Sequence, residues 1–576
     1  MARTKQCNRV AIENPNLVDK VRGKVYTRSN HKSNPDELEE SMAPVRRWYF
    51  KSCKNQLMIR WPIIGRLPSL MFNAHRIHDW TVDISKASGG TIVEKGSFFA
   101  RVKIVYTCDP RNVKYILSTN VSNFHRGADY KAAFDILGEG LLSSDSHFWM
   151  AQRRVARTTF NSKTVRDIIA HKGKEVVQDS LLHLLSHCAK ESLPLDLHDT
   201  FLRYSFDTSV NIIFGKNPKH LSTSFPTNEF AKAMDDATEA VFYRHVIPSS
   251  WWKLSRRLKI GSNERKLKTA WDIIDRDIAE YIKVKREEMV ANGTNGGEND
   301  LLHVYMSIKD GEKDEMLLSK MCSDKFFRDT AFTFLIAGRD TTASALSWFF
   351  WVISKNQSVE VKILEELKLI ISKKNTKGGE NGFVRAVEKH QLVFDADDQA
   401  DMVYLHAALC ETLRLYPSVP LIRKGSISDD VFPDGTVVNA GMMVLISYYA
   451  MGRMEWVWGK DCLEFKPERW IGRDGKLNPE TMTKLLSFSS GPRTCIGKDM
   501  AFVLMKLAVS AIIYNFHFEV VEGQNVIPTP SIALKMKNEL MCIEHAMALR
   551  CSIVEVKLVI TVPVMRCSME KKSVPP

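Results

Sequence analysis

The chain has 576 residues, 44% of them apolar and 26% charged, with 81 Lys plus Arg against 67 Asp plus Glu for a formal charge of +14. That composition supplies a globular core and excludes a disordered or fibrous chain. The positive excess is moderate; it suits an acidic protein partner or an anionic membrane surface and lacks the tight clustering expected of nucleic-acid binding. Eleven cysteines without a Cys-x-x-Cys pair argue against a disulfide framework and a thiolate zinc site.

In chain order, residues 1–58 read as a polar extension, basic at Lys5, Arg9, Lys20 and Arg22, without the apolar centre of a signal peptide. No run of about 20 apolar residues predicts a transmembrane anchor. Trp61-Pro62 to Leu67-Pro68 marks a stiff start to a folded body over 59–546. Residues 92–107 alternate like strands around Phe98, Ala100, Val102 and Ile104. Helical periodicity follows at 227–242 and 265–289. Breaker-rich linkers are expected at 292–297 and 373–382. Between them, 325–354 is apolar almost all round, the mark of a core helix. Further helices are expected at 402–416 and 498–516, and the tail 547–576 changes character. The fold class expected is mainly α with a small β-sheet subdomain.

The strongest chemistry lies at Phe488-Ser489-Ser490-Gly491-Pro492-Arg493-Thr494-Cys495-Ile496-Gly497, a turn-rich segment opening into an apolar helix. A thiolate at a helix N-terminus is stabilised by free N–H groups, so Cys495 is expected to have a lowered pKa. Gly491 and Gly497 remove side chains where a flat ligand would press, Phe488 shields the sulfur, and Arg493 offers a fixed cation to an anion. Three more elements accompany it. Ala337-Gly338-Arg339-Asp340-Thr341-Thr342 places an acid and a hydroxyl inside the core helix, with Gly338 and threonine expected to loosen it. Glu411 and Arg414 share a helix face, and Arg469 downstream can complete an ionic network. Trp149 and Arg153 form a Trp-x-x-x-Arg pair.

These motifs, in this order, resemble the cytochrome P450 superfamily, and three segments resemble its plant fatty-acid and alkane hydroxylase clan: 74–80, 337–342 and 449–454. The resemblance implies the P450 fold, haem b (iron protoporphyrin IX) ligated by Cys495, and a monooxygenase that hydroxylates a hydrophobic substrate, a long-chain fatty acid or alkane. It implies that Thr341 hydrogen-bonds the bound oxygen, that Asp340 feeds a proton relay, that Trp149 and Arg153 meet a haem propionate, and that Glu411, Arg414 and Arg469 are structural. It implies a pocket lined by 120–142, 332–342, 418–423 and 528–534, with Phe332, Phe334, Val419, Leu421 and Ile422 making it apolar.

No glycine-rich dinucleotide motif follows a strand, so electrons must come from outside. The partner implied is the NADPH–cytochrome P450 reductase, docking on Arg153, Arg154, Arg157 and Lys498, with molecular oxygen as co-substrate and no nucleic acid. Relatives sit on the cytosolic face of the endoplasmic reticulum membrane, which the polar N-terminus does not match. Two alternatives remain: oxidative phenol coupling of an aromatic alkaloid precursor, and reductase-independent rearrangement of lipid hydroperoxides. The Asp340–Thr341 pair speaks against the latter.

Overall fold

The computed structural model describes residues 69, 72–95, 103–247, 249–292, 300–307, 320–378 and 392–546. The expected extension, the stiff start at 61–68, the linker at 293–297, the alternating positions 98–102 and the tail from 547 lie outside these residues.

The molecule is mainly helical: α1 Ile77–Ser88, α2 Ser146–Asn161, α3 Lys163–Val176, α4 Leu182–Glu191, α5 Leu197–Phe214, α6 Glu229–Val246, α7 Ser249–Arg257, α8 Ser262–Asn292, α9 Leu301–Met306, α10 Asp324–Ser354, α11 Gln357–Gly378, α12 Val403–Leu415 and α13 Lys498–Asn515. Several starts are encoded by side-chain caps. Ser323 accepts from the Phe326 N–H (3.2 Å), Asn228 from Ala231 (3.0 Å) and Asp196 from His198 (2.9 Å). The linker expected at 373–382 is corrected: α11 continues to Gly378, because apolar positions such as Ile363, Leu367, Ile370 and Ile371 bury one face and carry the lysine-rich turn along.

A five-stranded sheet has the order β1–β2–β6–β5–β3, with β1 Thr91–Lys95, β2 Lys103–Thr107, β3 Phe124–His125, β5 Leu421–Ser426 and β6 Met443–Ser447. β2 and β6 are parallel; the other neighbours are antiparallel. A smaller sheet joins β4 Leu195–Asp196 to β8 Met541–Ala546 and β7 Phe516–Val520.

α10 runs through the core and lies against α5. A Cβ on Gly338 would meet Ser209 Oγ at 2.8 Å, Phe201 stacks on Phe350 at 5.3 Å, and His198 Nδ1 meets Ser347 Oγ at 2.9 Å. The helix assignment is continuous from Asp324 to Ser354, so Gly338 does not interrupt it. Its glycine is explained by the close approach of α5.

The ionic network read from 411, 414 and 469 forms in the interior. Arg414 binds Glu411 through two bonds (2.7 and 2.8 Å), Arg469 Nε reaches the same carboxylate at 3.4 Å, and the Trp470 indole N–H donates to it at 2.8 Å. Glu411 is fully buried, so its partners carry the whole load of replacing water. Arg414 also donates to the carbonyls of Gly452, Cys462 and Glu464, pinning the 449–464 segment. That segment meets α1: Tyr449 donates to Asp79 (2.8 Å) and lies 5.5 Å from the His78 ring, joining two of the clan-like segments. Glu411→Gln leaves Arg414 buried without its counter-charge. Urea unfolding followed by circular dichroism is expected to show a loss of about 3–5 kcal/mol, whereas a surface control such as Lys268→Gln changes little.

Candidate functional site

The cysteine loop is held from several sides before any ligand is considered. The Cys495 N–H donates to the Phe488 carbonyl at 2.8 Å, and the Arg153 guanidinium of α2 donates to the Thr494 carbonyl. Ser487 Oγ donates to Leu413 O (2.6 Å), tying the loop to the end of α12. Gly491 has φ +67°, and a Cβ there would stand 2.0 Å from the Leu117 carbonyl oxygen. Glycine at 491 is thus required by backbone conformation and by chain packing, a correction to the ligand-facing role expected of it. Gly497 has open space where its Cβ would be. Phe488 packs on Phe502 at 5.3 Å beside the loop.

Cys495 keeps an exposed surface, yet burial dominates its electrostatics. The expected lowering of its pKa is corrected: burial pushes the thiol up, against the Gly497 N–H and the Arg153 and Lys498 cations. α13 begins only at Lys498, and its dipole does not outweigh burial. A thiolate here needs a positive charge at the sulfur itself, which an iron supplies.

A cluster of cations lies at the other edge of the loop. Arg493 stacks over Trp149 at 4.1 Å and binds Asp145 (2.7 Å) and the Ser144 carbonyl (3.1 Å). Arg126 follows β3 and Lys424 lies on β5; Arg126 Nε and Lys424 Nζ are buried without a hydrogen-bond partner. Burial, then the Arg126 and Arg493 charges, bring the Lys424 ammonium down to about 7. Burial and Arg126 lower Arg493 to about 10 against the pull of Asp145. A buried Lys424 ammonium without a partner, with the Arg126 and Arg493 charges beside it, is costly unless an anion meets it. The two propionates of haem b fit that requirement, and the accessible thiol of Cys495 fits the iron. Sequence reading missed Arg126 and Lys424, since only the fold collects them beside Arg493. Arg153 and Trp149 belong to the same wall.

α10 carries the second motif. Between 331 and 342, Ala337 is exposed and Phe334, Ile336, Gly338 and Thr341 are half-buried, with Gly338 set against α5. Thr341 Oγ donates to the Ala337 carbonyl at 2.7 Å, and Ser418 Oγ to the Thr341 carbonyl at 2.8 Å. The Leu534 N–H donates to Ser418 O (2.8 Å), while Ser344 Oγ and the Trp348 indole donate to Leu534 O (2.9 and 2.7 Å). Segments 418–423 and 528–534 therefore meet α10 at Thr341, and segment 120–142 reaches it where Gly138 and Gly140 abut Asp329 and Thr333. Val419 and Ile422 are half-buried and Leu421 exposed at this edge. One of the expected lining residues is corrected. Phe332 is fully buried on another face of α10, under Arg328 at 5.2 Å. Phe334 packs edge-on with Phe160 and Tyr305. A helix apolar all round gave no signal of which rings face a ligand.

Asp340 is buried within an ionic group. Its carboxylate binds Arg339 at 3.0 Å and faces Lys535 Nζ at 3.9 Å. Arg339 also grips Asp235 of α6 with two bonds (2.8 and 3.0 Å), and Lys535 reaches Asp235 at 3.2 Å. Against the upward push of burial, Arg339 and Lys535 hold Asp235 down at about 2. Asp235 and Lys535 could not be singled out from sequence, because each lies far along the chain from 340.

The profile of the cytochrome P450 family matches residues 56–543. Cytochrome P450 86B1 of Arabidopsis thaliana is 41% identical over 485 residues, 84% of each chain. Alkane hydroxylase MAH1 of the same plant is 38% identical, covering 84% of this chain and 92% of its own. Noroxomaritidine synthase of Narcissus aff. pseudonarcissus MK-2014 is 37% identical, covering 85% and 91%.

If Lys424 and Arg126 meet propionates, Lys424→Met and Arg126→Gln each speed haem loss to an excess of a haem-scavenging protein about tenfold, the equivalent of ~1.4 kcal/mol. Unchanged loss rates in both variants overturn that assignment.

Proposed function

The chain belongs to the cytochrome P450 family and is a haem b monooxygenase, and on that premise we propose that it hydroxylates a long aliphatic chain, a fatty acid or an alkane. The observation that carries the reading is the accessible thiol of Cys495 in its loop, together with the accessible apolar positions Ala337, Val419, Leu421 and Ile422. Those apolar side chains suit an alkyl chain. The relative named an alkane hydroxylase supports the same class.

Haem b, when bound, supplies dioxygen activation and accepts the electrons. Cys495 would ligate its iron, and Trp149, Arg153, Arg493, Arg126 and Lys424 would hold its anionic edge. Phe488 limits water at the sulfur. The Thr341 hydroxyl, resting on the Ala337 carbonyl, would turn its proton toward the substrate side, and Asp340 next to it would resupply that proton. Glu411, Arg414 and Arg469 keep the 449–464 segment in place and take no part in proton transfer.

The family takes electrons from a reductase, and we assign the NADPH–cytochrome P450 reductase. Arg154 and Arg157 of α2 are exposed for an acidic partner; Arg153 faces the loop instead. Plant relatives are associated with the endoplasmic reticulum. Among the described residues no helix is long and apolar enough to cross a membrane. Around α7, however, Trp251 (69%), Leu254 (56%), Leu258 (55%) and Ile260 (55%) are exposed among Lys253, Arg257 and Lys259. A basic amphipathic surface of this kind favours an anionic bilayer.

The function is tested by reconstituting the protein with haem, reductase and NADPH on fatty acids and alkanes. Hydroxylated chains are expected, and Cys495→Ala is expected to lose both product and the red-shifted carbon monoxide band. Coupled phenols without chain hydroxylation would favour the phenol-coupling reading. Turnover of lipid hydroperoxides without NADPH overturns the monooxygenase assignment for this chain's substrate. For membrane attachment, Trp251→Ala/Leu254→Ala is expected to reduce co-sedimentation with anionic vesicles several-fold; equal binding to neutral and anionic vesicles contradicts the electrostatic part.

A further inference from the structure

Asp340 is the inward end of a charge cluster contributed by four parts of the chain. Asp340 and Arg339 come from α10, Asp235 from α6, His198 from α5, and Lys535 from the turn after 528–534. Asp199 of α5 adds a negative charge near Arg339 and His198, and Asp196 adds one near His198. Burial keeps His198 on the neutral side, its Nδ1 engaged with Ser347 Oγ.

The cluster is graded from outside to inside. The Asp235 side chain is 44% exposed, Lys535 21%, Arg339 4% and Asp340 5%. Lys535 stands between the carboxylates, 3.2 Å from Asp235 and 3.9 Å from Asp340. Its location is fixed by the Leu534 hydrogen bonds to Ser344, Trp348 and Ser418, so one ammonium is offered to two acids from a rigid turn. Arg339 is divided in the same way, with Asp235 taking the bidentate share.

We propose that Lys535 is a positioning residue for the monooxygenase reaction: a counter-ion shared between Asp235 and Asp340, whose division between the two sets how readily Asp340 takes up and passes on a proton. This rests on the reading of Asp340 as the relay acid. The step it governs moves one proton and no electrons. A solvent proton is taken by the Asp340 carboxylate, then leaves for the Thr341 side, and the carboxylate is regenerated. A cation drawn fully onto Asp340 opposes the first half of that cycle, and a cation withdrawn favours it. Asp235, at the surface end, competes for Lys535 and Arg339 and so keeps Asp340 from being over-neutralised.

Opposite signs make the inference testable. Lys535→Met withdraws a cation from Asp340, and the alkaline limb of the rate profile is expected to move up by roughly one pH unit. Asp235→Asn leaves both Lys535 and Arg339 to Asp340, and the limb is expected to move down by a similar amount. Lys535→Arg keeps the charge and should leave the limb near its wild-type position. A merely structural role would lower activity in these variants without shifting the limb in opposite directions. The second readout needs no turnover: pH-dependent reductive methylation of Lys535, read by mass spectrometry on the full chain. Labelling is expected to rise several-fold in both Asp235→Asn and Asp340→Asn, because each removes one partner. Shifts in the same direction, or none, overturn the inference when Asp340→Asn itself abolishes the limb. If Asp340→Asn leaves the limb intact, the relay reading is what fails. Labelling unchanged in both asparagine variants overturns the shared counter-ion in either case.

Discussion

The site depends on how the protein holds one cysteine sulfur. A buried thiol resists ionisation, and the cations nearest Cys495 do not reverse that resistance. On the proposed reading the iron would supply the missing positive charge, and the protein's contribution is to present the atom. Presentation is achieved with backbone rather than side-chain ligands: Phe488 O receives the Cys495 N–H, Thr494 O receives Arg153, and Gly491 lets the chain lie against Leu117. Each contact draws on a different part of the chain, so the loop's geometry is a product of the whole fold.

The same economy governs the charged edge. Arg126, Lys424 and Arg493 arrive from three segments, and Asp145 binds Arg493 and offsets Lys424, which leaves positive charge in excess. Such a cluster is unfavourable for the protein alone and favourable around a dianion. On the proposed reading, cofactor binding and local stability would be coupled there.

What could be read from the sequence follows from what each signal measures. Periodicity measures burial on one face, so the helix expected at 325–354 is found at Asp324–Ser354 and that at 402–416 at Val403–Leu415. Breaker residues measure local cost only, which is why tertiary burial carried α11 through a segment expected to be a linker. The loop around Cys495 and the Glu411 network were legible because local spacing encodes them. Facing was not legible on α10: Phe332 is fully buried, while Ala337 is exposed. Arg126, Lys424, Asp235 and Lys535 lay beyond reach, since their meaning arises from neighbours remote in the chain.

Two ionic groups of different character flank the chemistry, and the difference is physical. Around Glu411 every acceptor is taken, the acid is fully buried, and donors from Arg414, Arg469 and Trp470 converge on it. Any displacement there exposes an uncompensated charge to low dielectric, so the group holds one arrangement. Around Asp340 the cations are divided between two carboxylates, and one of those carboxylates meets solvent. The charge around Asp340 is therefore shared between two acids rather than closed on one. On the reading of Asp340 as the relay acid, the closed group would hold a segment in place and the shared group would border the proton's route.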